Sequence, residues 1–186
     1  MVLWKPSKKV RVGENRGKLD AMSLLAHHYE TSAFVRAPAD KVFAHVDDHG
    51  RLSSHMTQSS WMMGGGRMEI ELDNARGQSV GSRIRLTATV FGIRLSVEEV
   101  VIERNPPDRK VWETIGSPRL LVIGRYRMGF EITPREGGSL FRVYIDYAPP
   151  ERVPARWLGY CLGRHYARWC TQQMVNDAVG HFGVLA

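Results

Sequence analysis

Three residues have the chemistry and the spacing of a candidate site: Glu99, Tyr126 and His165. Glu99 lies in an alternating segment, residues 93–101, whose apolar members would turn its carboxylate to the apolar side of a strand. A carboxylate among apolar neighbours can act as a general acid or base. A bulge after Val97 would reverse the alternation and place Glu99 on the surface, and the sequence leaves both alternatives open.

The other two candidates also stand beside apolar residues. Tyr126 shares one side of a predicted strand with Met128 and Phe130, and a buried tyrosine hydroxyl needs a hydrogen-bond partner. His165 lies at the edge of the apolar stripe of a predicted helix, so it either reaches an interior cavity or is a core histidine with its own partners. Together the three side chains would position a carbonyl or hydroxyl group and supply proton transfer.

Two further patterns carry less chemistry. His45 and His49 have the i, i+4 spacing that can place two imidazoles on one helix face. Gly50 predicts that the helix ends there, which favours a solvated helix end, so we predict no metal site and no cofactor. A place at the mouth of an interior cavity is the alternative for His45, His49 and the nearby Asp47, Asp48 and His55. The glycines at 64–66 lack the Lys-Ser/Thr of a phosphate-binding loop. They predict either a plain turn or, with the bulky residues 61–63, the hinge of a flap over a cavity.

The cysteines indicate neither a disulfide nor a catalytic nucleophile. Cys161 and Cys170 are nine residues apart in a predicted helix, which places them on opposite faces and about 13.5 Å apart along the axis. No GxSxG motif occurs in the sequence, and neither cysteine has a recognisable triad partner. Two reduced thiols are typical of a cytoplasmic protein.

The net charge of +7 is concentrated near the start of the chain. Residues 1–18 contain six Lys and Arg against one Glu, a net charge of +5, which leaves +2 for the remaining residues. Elsewhere arginines alternate with apolar residues as on an exposed sheet face, without any nucleic-acid-binding motif. We therefore predict no nucleic-acid partner and no membrane-spanning segment, with peripheral membrane contact through the basic leader as an alternative.

The elements that would position these residues follow from hydrophobic periodicity. The segment HHYETSAFV at 27–35 predicts a strand, and Pro38 with the apolar residues after it predicts a short helix. A second short helix or turn is predicted at 51–56. Residues 68–147 alternate almost throughout and predict six more antiparallel strands. Residues 155–182 predict one long helix with an apolar stripe that starts at Leu158 and Leu162.

This order resembles a known superfamily, on the strength of two stretches and the long final helix. The stretches are FVRAPADKVFAHVDD at 34–48 and ERNPPDRKVWET at 103–114. They are similar to motifs of the superfamily that contains START lipid-transfer domains, birch-pollen-allergen-like proteins, polyketide cyclases and coenzyme-Q-binding proteins (SRPBCC). The resemblance covers residues 27–183. It implies an α+β helix-grip fold: a curved seven-stranded antiparallel sheet wrapped around the C-terminal helix, two short helices after the first strand, and a deep cavity.

The resemblance implies a binding cavity without a universal catalytic residue. We expect a leader at 1–25 and one domain at 26–186. The residues that would line the cavity are nearly all apolar: Met68, Ile70, Leu86, Ala88, Tyr126, Met128, Phe130, Phe141, Val143, Tyr147, His165 and Trp169. Such a cavity favours binding of a hydrophobic small molecule such as a lipid, polyketide or quinone.

Two other hypotheses remain open at this point. The first is a polyketide cyclase or dehydratase-like enzyme that uses Glu99, Tyr126 or His165 for proton transfer. The second is a protein-interaction module without a ligand, which predicts a collapsed cavity and an exposed apolar patch. The sequence fixes neither the ligand nor the oligomeric state.

Overall fold

The computed structural model describes residues 25–52, 68–90, 92–153 and 155–183. The basic residues 1–18 of the predicted leader and the predicted turn or flap at 61–66 lie outside the described residues. So does most of the predicted second helix at 51–56.

A single seven-stranded antiparallel sheet forms the framework of the molecule. Its strands stand in the order β1-β7-β6-β5-β4-β3-β2, so that only the first strand leaves the sequential order, by pairing with the last. The alternation of apolar and polar residues gives one face to the core and the other to solvent. The strands are β1 (His27–Val35), β2 (Met68–Leu72), β3 (Arg83–Val90), β4 (Ile93–Asn105), β5 (Arg109–Arg119), β6 (Tyr126–Arg135) and β7 (Gly138–Tyr147).

Three helices are described, and two of them are short. Helix α1 (Ala39–Val46) buries one apolar side against β6 and β7, and α2 (His49–Leu52) follows it directly. The long helix α3 (Ala155–Gly183) packs against β1 and β7. A hydrogen bond of 2.9 Å between the Thr31 and Thr171 hydroxyls joins β1 to α3. The predicted helix-grip fold is therefore confirmed.

The face that α3 turns inward differs from the predicted one over its first two turns. Leu158 and Leu162 were expected to face the core, but both are exposed. The inward positions belong to Gly159 and Gly163, where a Cβ atom would lie 2.5 Å from Pro150 and 3.1 Å from Tyr147. The helix approaches the chain too closely there for any side chain, so its large apolar residues point outward. No helix in the described ranges is both long and apolar enough to cross a membrane.

Candidate functional site

The core face of the sheet and α3 enclose a cavity of about 30 Å³. That volume has room for one or two water molecules. Most of the lining is apolar or sulfur-containing, and the polar groups come from one histidine, one glutamate and two tyrosines. The lining residues are His49, Met68, Leu86, Val97, Glu99, Trp112, Leu120, Ile123, Tyr126, Met128, Ile145, Tyr166, Cys170 and Met174.

Glu99 and Tyr126 form the polar centre of this cavity. The Tyr126 hydroxyl donates a hydrogen bond to Glu99 Oε1, and both residues are buried. Glu99 points inward because β4 keeps its alternation from Leu95 through Val101. The first register shift, between Ser96 and Glu98, does not change the alternation of β4, and the second follows Val101. Of the two alternatives left open by the sequence, the inward Glu99 is the one observed.

His49 completes the cluster from the other side of the cavity. Its Nε2 atom lies 3.2 Å from Glu99 Oε2, and both side chains are almost fully buried. The contact is not a hydrogen bond, and within the described residues Glu99 Oε2 and His49 Nδ1 have no hydrogen-bond partner. The His49 ring packs edge-on against Trp112 at 5.2 Å. Buried polar atoms without partners cost about 1–3 kcal/mol each, and they recur at functional sites.

The cavity strongly favours the neutral forms of two tyrosines and one cysteine. Burial, with the charge of Glu99, raises the pKa of the Tyr126 hydroxyl well above its usual value. Burial also raises the pKa of the Tyr166 hydroxyl, and burial and Glu99 raise that of the Cys170 thiol to about 12. Tyr126, Tyr166 and Cys170 therefore keep their protons at neutral pH. The Tyr126 hydrogen is donated to Glu99, and the Tyr166 hydroxyl can offer its hydrogen to an oxygen atom inside the cavity.

The segment between α1 and α2 turns His49 inward. Helix α1 ends at Val46 with Asp47 as its C-cap, and α2 begins at His49. Gly77, at φ +75°, packs against His49: a Cβ atom added at Gly77 would lie 3.0 Å from the Cβ atom of His49. A left-handed glycine is thus needed for the 73–82 loop to close over His49.

A second buried polar cluster lies two residues away from His49. The Lys110 ammonium donates to the Asp47 carbonyl at 2.6 Å and lies 3.1 Å from its carboxylate. Arg104 donates to the same carboxylate through Nε and Nη2, at 3.1 and 2.8 Å. Burial opposes ionisation of Asp47, but the bonds from Arg104 and the charge of Lys110 outweigh it and lower the pKa of that carboxyl. Here the buried charges are well paired.

Sequence similarity places the chain in a family. Residues 26–176 match the polyketide cyclase/dehydrase and lipid transport family. The chain belongs to this family. No curated protein sequence matches it significantly.

Solved structures share the fold of this family member at low sequence identity. The di-domain ARO/CYC StfQ from the steffimycin biosynthetic pathway aligns with a TM-score of 0.61 and 13% identity, over 91% of this chain and 55% of that one. Ara h 8.0201 aligns at 0.55 and 14%, over 84% and 97%. A protein from Thermobifida fusca, solved in solution by NMR, aligns at 0.56 and 19%, over 85% and 94%. These likenesses show the fold alone.

The structure brings some of the predicted site residues to the cavity and leaves others away from it. Glu99, Tyr126, Met68, Leu86 and Met128 line it. Others are buried elsewhere in the core, or half-buried in the case of Ile70: Ile70, Ala88, Phe130, Phe141, Val143 and Tyr147.

His165 and Trp169 do not take the predicted positions. His165 is exposed on α3 and Trp169 is half-buried, because the inward side of the helix is set by Gly163, Ala167 and Cys170. The third polar partner of Glu99 and Tyr126 is His49, which the sequence indicated as part of a solvated helix end. The i, i+4 spacing suggested that His45 and His49 share one helix face. They belong to different helices, so the spacing gave no indication that His49 faces the cavity. Within the described residues, no group of three acidic, His or Cys side chains could hold a metal ion.

Proposed function

We propose that the protein binds a hydrophobic small molecule that carries a hydroxyl or carbonyl oxygen, in the space between the sheet and α3. The supporting observation is the Glu99–Tyr126–His49 cluster, which places hydrogen-bonding groups inside an otherwise apolar lining. Apolar walls contribute about 25 cal/mol per Å² of buried ligand surface, and a few placed polar groups fix its orientation. Lipids, polyketides and quinones with such an oxygen have the required chemistry.

Entry of a ligand requires the cavity walls to move apart. The present volume of about 30 Å³ is below the roughly 300–1,000 Å³ of ordinary ligand pockets. A cavity this small and the exposed apolar residues at the start of α3 are what the interaction-module hypothesis predicts, whereas the polar cluster inside the cavity favours a ligand. Met68, Met128 and Met174 are suited to such an expansion, because unbranched thioether side chains repack at low cost. Leu120 belongs to the 120–125 connection between β5 and β6, which has no regular structure. It can move without breaking a strand.

Titration with 2-naphthol, a small fluorescent phenol, tests this proposal. We expect saturable binding to the wild-type protein and its loss in Leu86→Trp, which fills the cavity. Phe34→Trp adds the same ring at an exposed site and should leave binding unchanged. Because overpacking costs about 1–3 kcal/mol, Met174→Trp serves as a second blocked variant from the helix side. Equal binding by the wild-type and blocked proteins would contradict the proposal.

The same cluster supports a second candidate, a cyclase-like enzyme. Glu99 Oε2 accepts no hydrogen bond from the described residues, so it can take a proton from a carbon next to a substrate carbonyl. The electron pair of the broken C–H bond moves to the carbonyl oxygen as an enolate, and return of a proton to the carbon closes the cycle. Hydrogen–deuterium exchange at the C1 position of 2-tetralone, followed by NMR, tests this step. Wild-type protein should accelerate exchange and Glu99→Gln should not, whereas no acceleration above buffer would dismiss the enzyme.

A further inference from the structure

The outward face of α3 is apolar over its first two turns. Trp157, Leu158, Tyr160 and Leu162 are 69%, 43%, 55% and 45% exposed. Soluble proteins rarely present this many large apolar side chains on one short helical segment without a partner. The segment also lacks carboxylates, since the first acidic residue of α3 is Asp177.

A groove of about 450 Å³ lies beside this segment and is rich in arginine. Arg94, Arg119, Arg125 and Arg152 line it, and Glu151 is the single carboxylate among the described lining residues, which together carry a net charge of +3. All four arginines are exposed. Within the described ranges, none of them forms an ion pair or a side-chain hydrogen bond.

Several arginines elsewhere on the sheet are paired, in contrast to the four of the groove. Arg104 binds Asp47, and Arg127 donates to Glu113 at 2.7 and 3.0 Å. Arg142 pairs with Glu30 and Glu131. The groove thus groups four guanidinium groups without a carboxylate partner among the described residues, and these groups can bind external anions.

The groove and the apolar segment form one continuous surface. Gly159 of α3 lies against Pro150 and Val122, and Pro150 also lines the groove. Leu120 lines both the groove and the interior cavity, so it lies between the two. The chain also enters β1 at this end of the sheet, where His27 pairs with Tyr147. The preceding segment, residues 1–18, carries a net charge of +5.

We propose that this surface, the docking face, binds an anionic lipid bilayer. It comprises the apolar residues Trp157, Leu158, Tyr160 and Leu162 and the four groove arginines. Tryptophan and tyrosine favour the bilayer interface, and a helix segment with apolar and aromatic residues beside arginines matches the composition of interfacial helices. The arginines would reach lipid phosphates and carboxylates from the adjacent groove. Docking goes beyond the proposed ligand binding and does not depend on it.

Co-sedimentation with vesicles tests the electrostatic part. The probe is phosphatidylcholine vesicles with about 30% phosphatidylserine at about 0.1 M salt, compared with pure phosphatidylcholine. We expect the full chain to bind the anionic vesicles, and Arg119→Glu/Arg125→Glu to lower the partition coefficient at least about tenfold. Arg36→Glu/Arg135→Glu makes the same charge change at the opposite end of the sheet, where both residues are exposed. This control should bind within about twofold of wild type.

A second pair of variants tests the apolar part. Trp157→Ser/Leu162→Ser should also lower binding at least about tenfold, because each removes a side chain that enters the interface. The control Phe34→Ser/Val80→Ser removes two exposed apolar side chains elsewhere. It should bind as wild type does.

Four results would overturn the proposal. The wild-type protein could fail to bind anionic vesicles. Both charge-reversed proteins could lose binding equally, which would show that net charge alone attracts the chain. Both docking-face variants could bind as wild type, which would assign membrane contact to the basic leader. Self-association of the wild-type protein that Trp157→Ser abolishes, without vesicle binding, would assign the face to a second copy of the chain.

Discussion

Two buried polar clusters lie side by side in this protein and differ in how completely they are paired. In the Asp47–Lys110–Arg104 cluster, one carboxylate is held by two cations and a carbonyl takes a further ammonium hydrogen. In the His49–Glu99–Tyr126 cluster, Glu99 accepts a single hydrogen bond from the described residues and His49 Nδ1 has no partner among them. The polar groups of the first cluster are paired with one another and stabilise the fold. The second cluster keeps unpaired polar atoms that can bind a group inside the cavity.

This difference in pairing indicates which buried polar groups stabilise the fold and which are available for binding. Residues two positions apart on one connection enter opposite kinds of environment, since Asp47 caps α1 and His49 starts α2. Substitutions in the first cluster should therefore change stability more than binding. Substitutions in the second should do the reverse.

The largest effect is expected from Asp47→Asn. It leaves the Lys110 ammonium, which is 0% exposed, without its anionic partner. We expect the free energy of unfolding, measured in urea, to fall by about 3–5 kcal/mol. Asp48→Asn, which keeps an oxygen to cap Gly50 and Arg51, should cost less than about 0.5 kcal/mol. The double variant Asp47→Asn/Lys110→Met should recover most of the loss. An Asp47→Asn protein as stable as wild type would contradict the claim that the Asp47–Lys110–Arg104 cluster stabilises the fold.

Thiol labelling sharpens the comparison at the cavity. A pKa of about 12 leaves roughly one Cys170 thiol in ten thousand ionised at pH 8. Cys161 is exposed on the same helix. We expect iodoacetamide to modify Cys161 at least about a hundredfold faster than Cys170, as read by peptide mass spectrometry. Labelling rates within tenfold of one another would show that the cavity is open to water.

Glu99→Gln should separate binding from stability. It keeps the shape of the side chain and removes a buried charge, so the free energy of unfolding should change by less than about 1 kcal/mol. The dissociation constant for 2-naphthol should rise about tenfold, equivalent to about 1.4 kcal/mol. Glu98→Gln is the matched control, because the neighbouring carboxylate points outward to Arg85. Equal affinities of the two variants would deny Glu99 a role in binding.

The smallest effect concerns His45, two residues before Asp47. Its ring stacks on His181 of α3 at 3.9 Å, and burial, His181 and Arg51 lower its pKa below the usual 6.5, against the opposing charge of Asp48. The unfolded chain then binds a proton more readily than the folded protein. Stability should fall as the pH drops below about 6.5, by less than about 1 kcal/mol from this residue. In thermal melts, His45→Gln should reduce the decrease of the melting temperature with falling pH. If the melting temperature of the variant depends on pH as that of wild type does, His45 is not the group responsible.

The sequence predicted the framework well because periodicity is a local signal. The strand at 27–35, the alternation through 68–147 and the long helix follow from residue spacing, and all are observed. The inward Tyr126 was likewise predicted from its alternation with Met128 and Phe130.

The place of His49 beside Glu99 could not be predicted in the same way, since it depends on contacts between distant segments. His49 faces the cavity only because α1 ends at Val46 and the loop at Gly77 closes over its ring. His165 was expected inside because apolar residues flank it. Instead, Gly159 and Gly163 let the opposite side of α3 pack closely against Pro150 and Tyr147. A close approach at glycines cannot be recognised from a stripe of large apolar residues.

The central claim is that the cavity holds a hydrophobic molecule with an oxygen that meets Glu99 and Tyr126. Native mass spectrometry of the protein purified from its own host, followed by denaturing extraction, tests this most directly. The wild-type protein should carry a small molecule with a hydroxyl or carbonyl group, and Leu86→Trp expressed in parallel should carry none. The claim is wrong if the measured mass of both proteins equals that of the polypeptide alone and neither protein binds 2-naphthol. The docking face would then be the main functional feature.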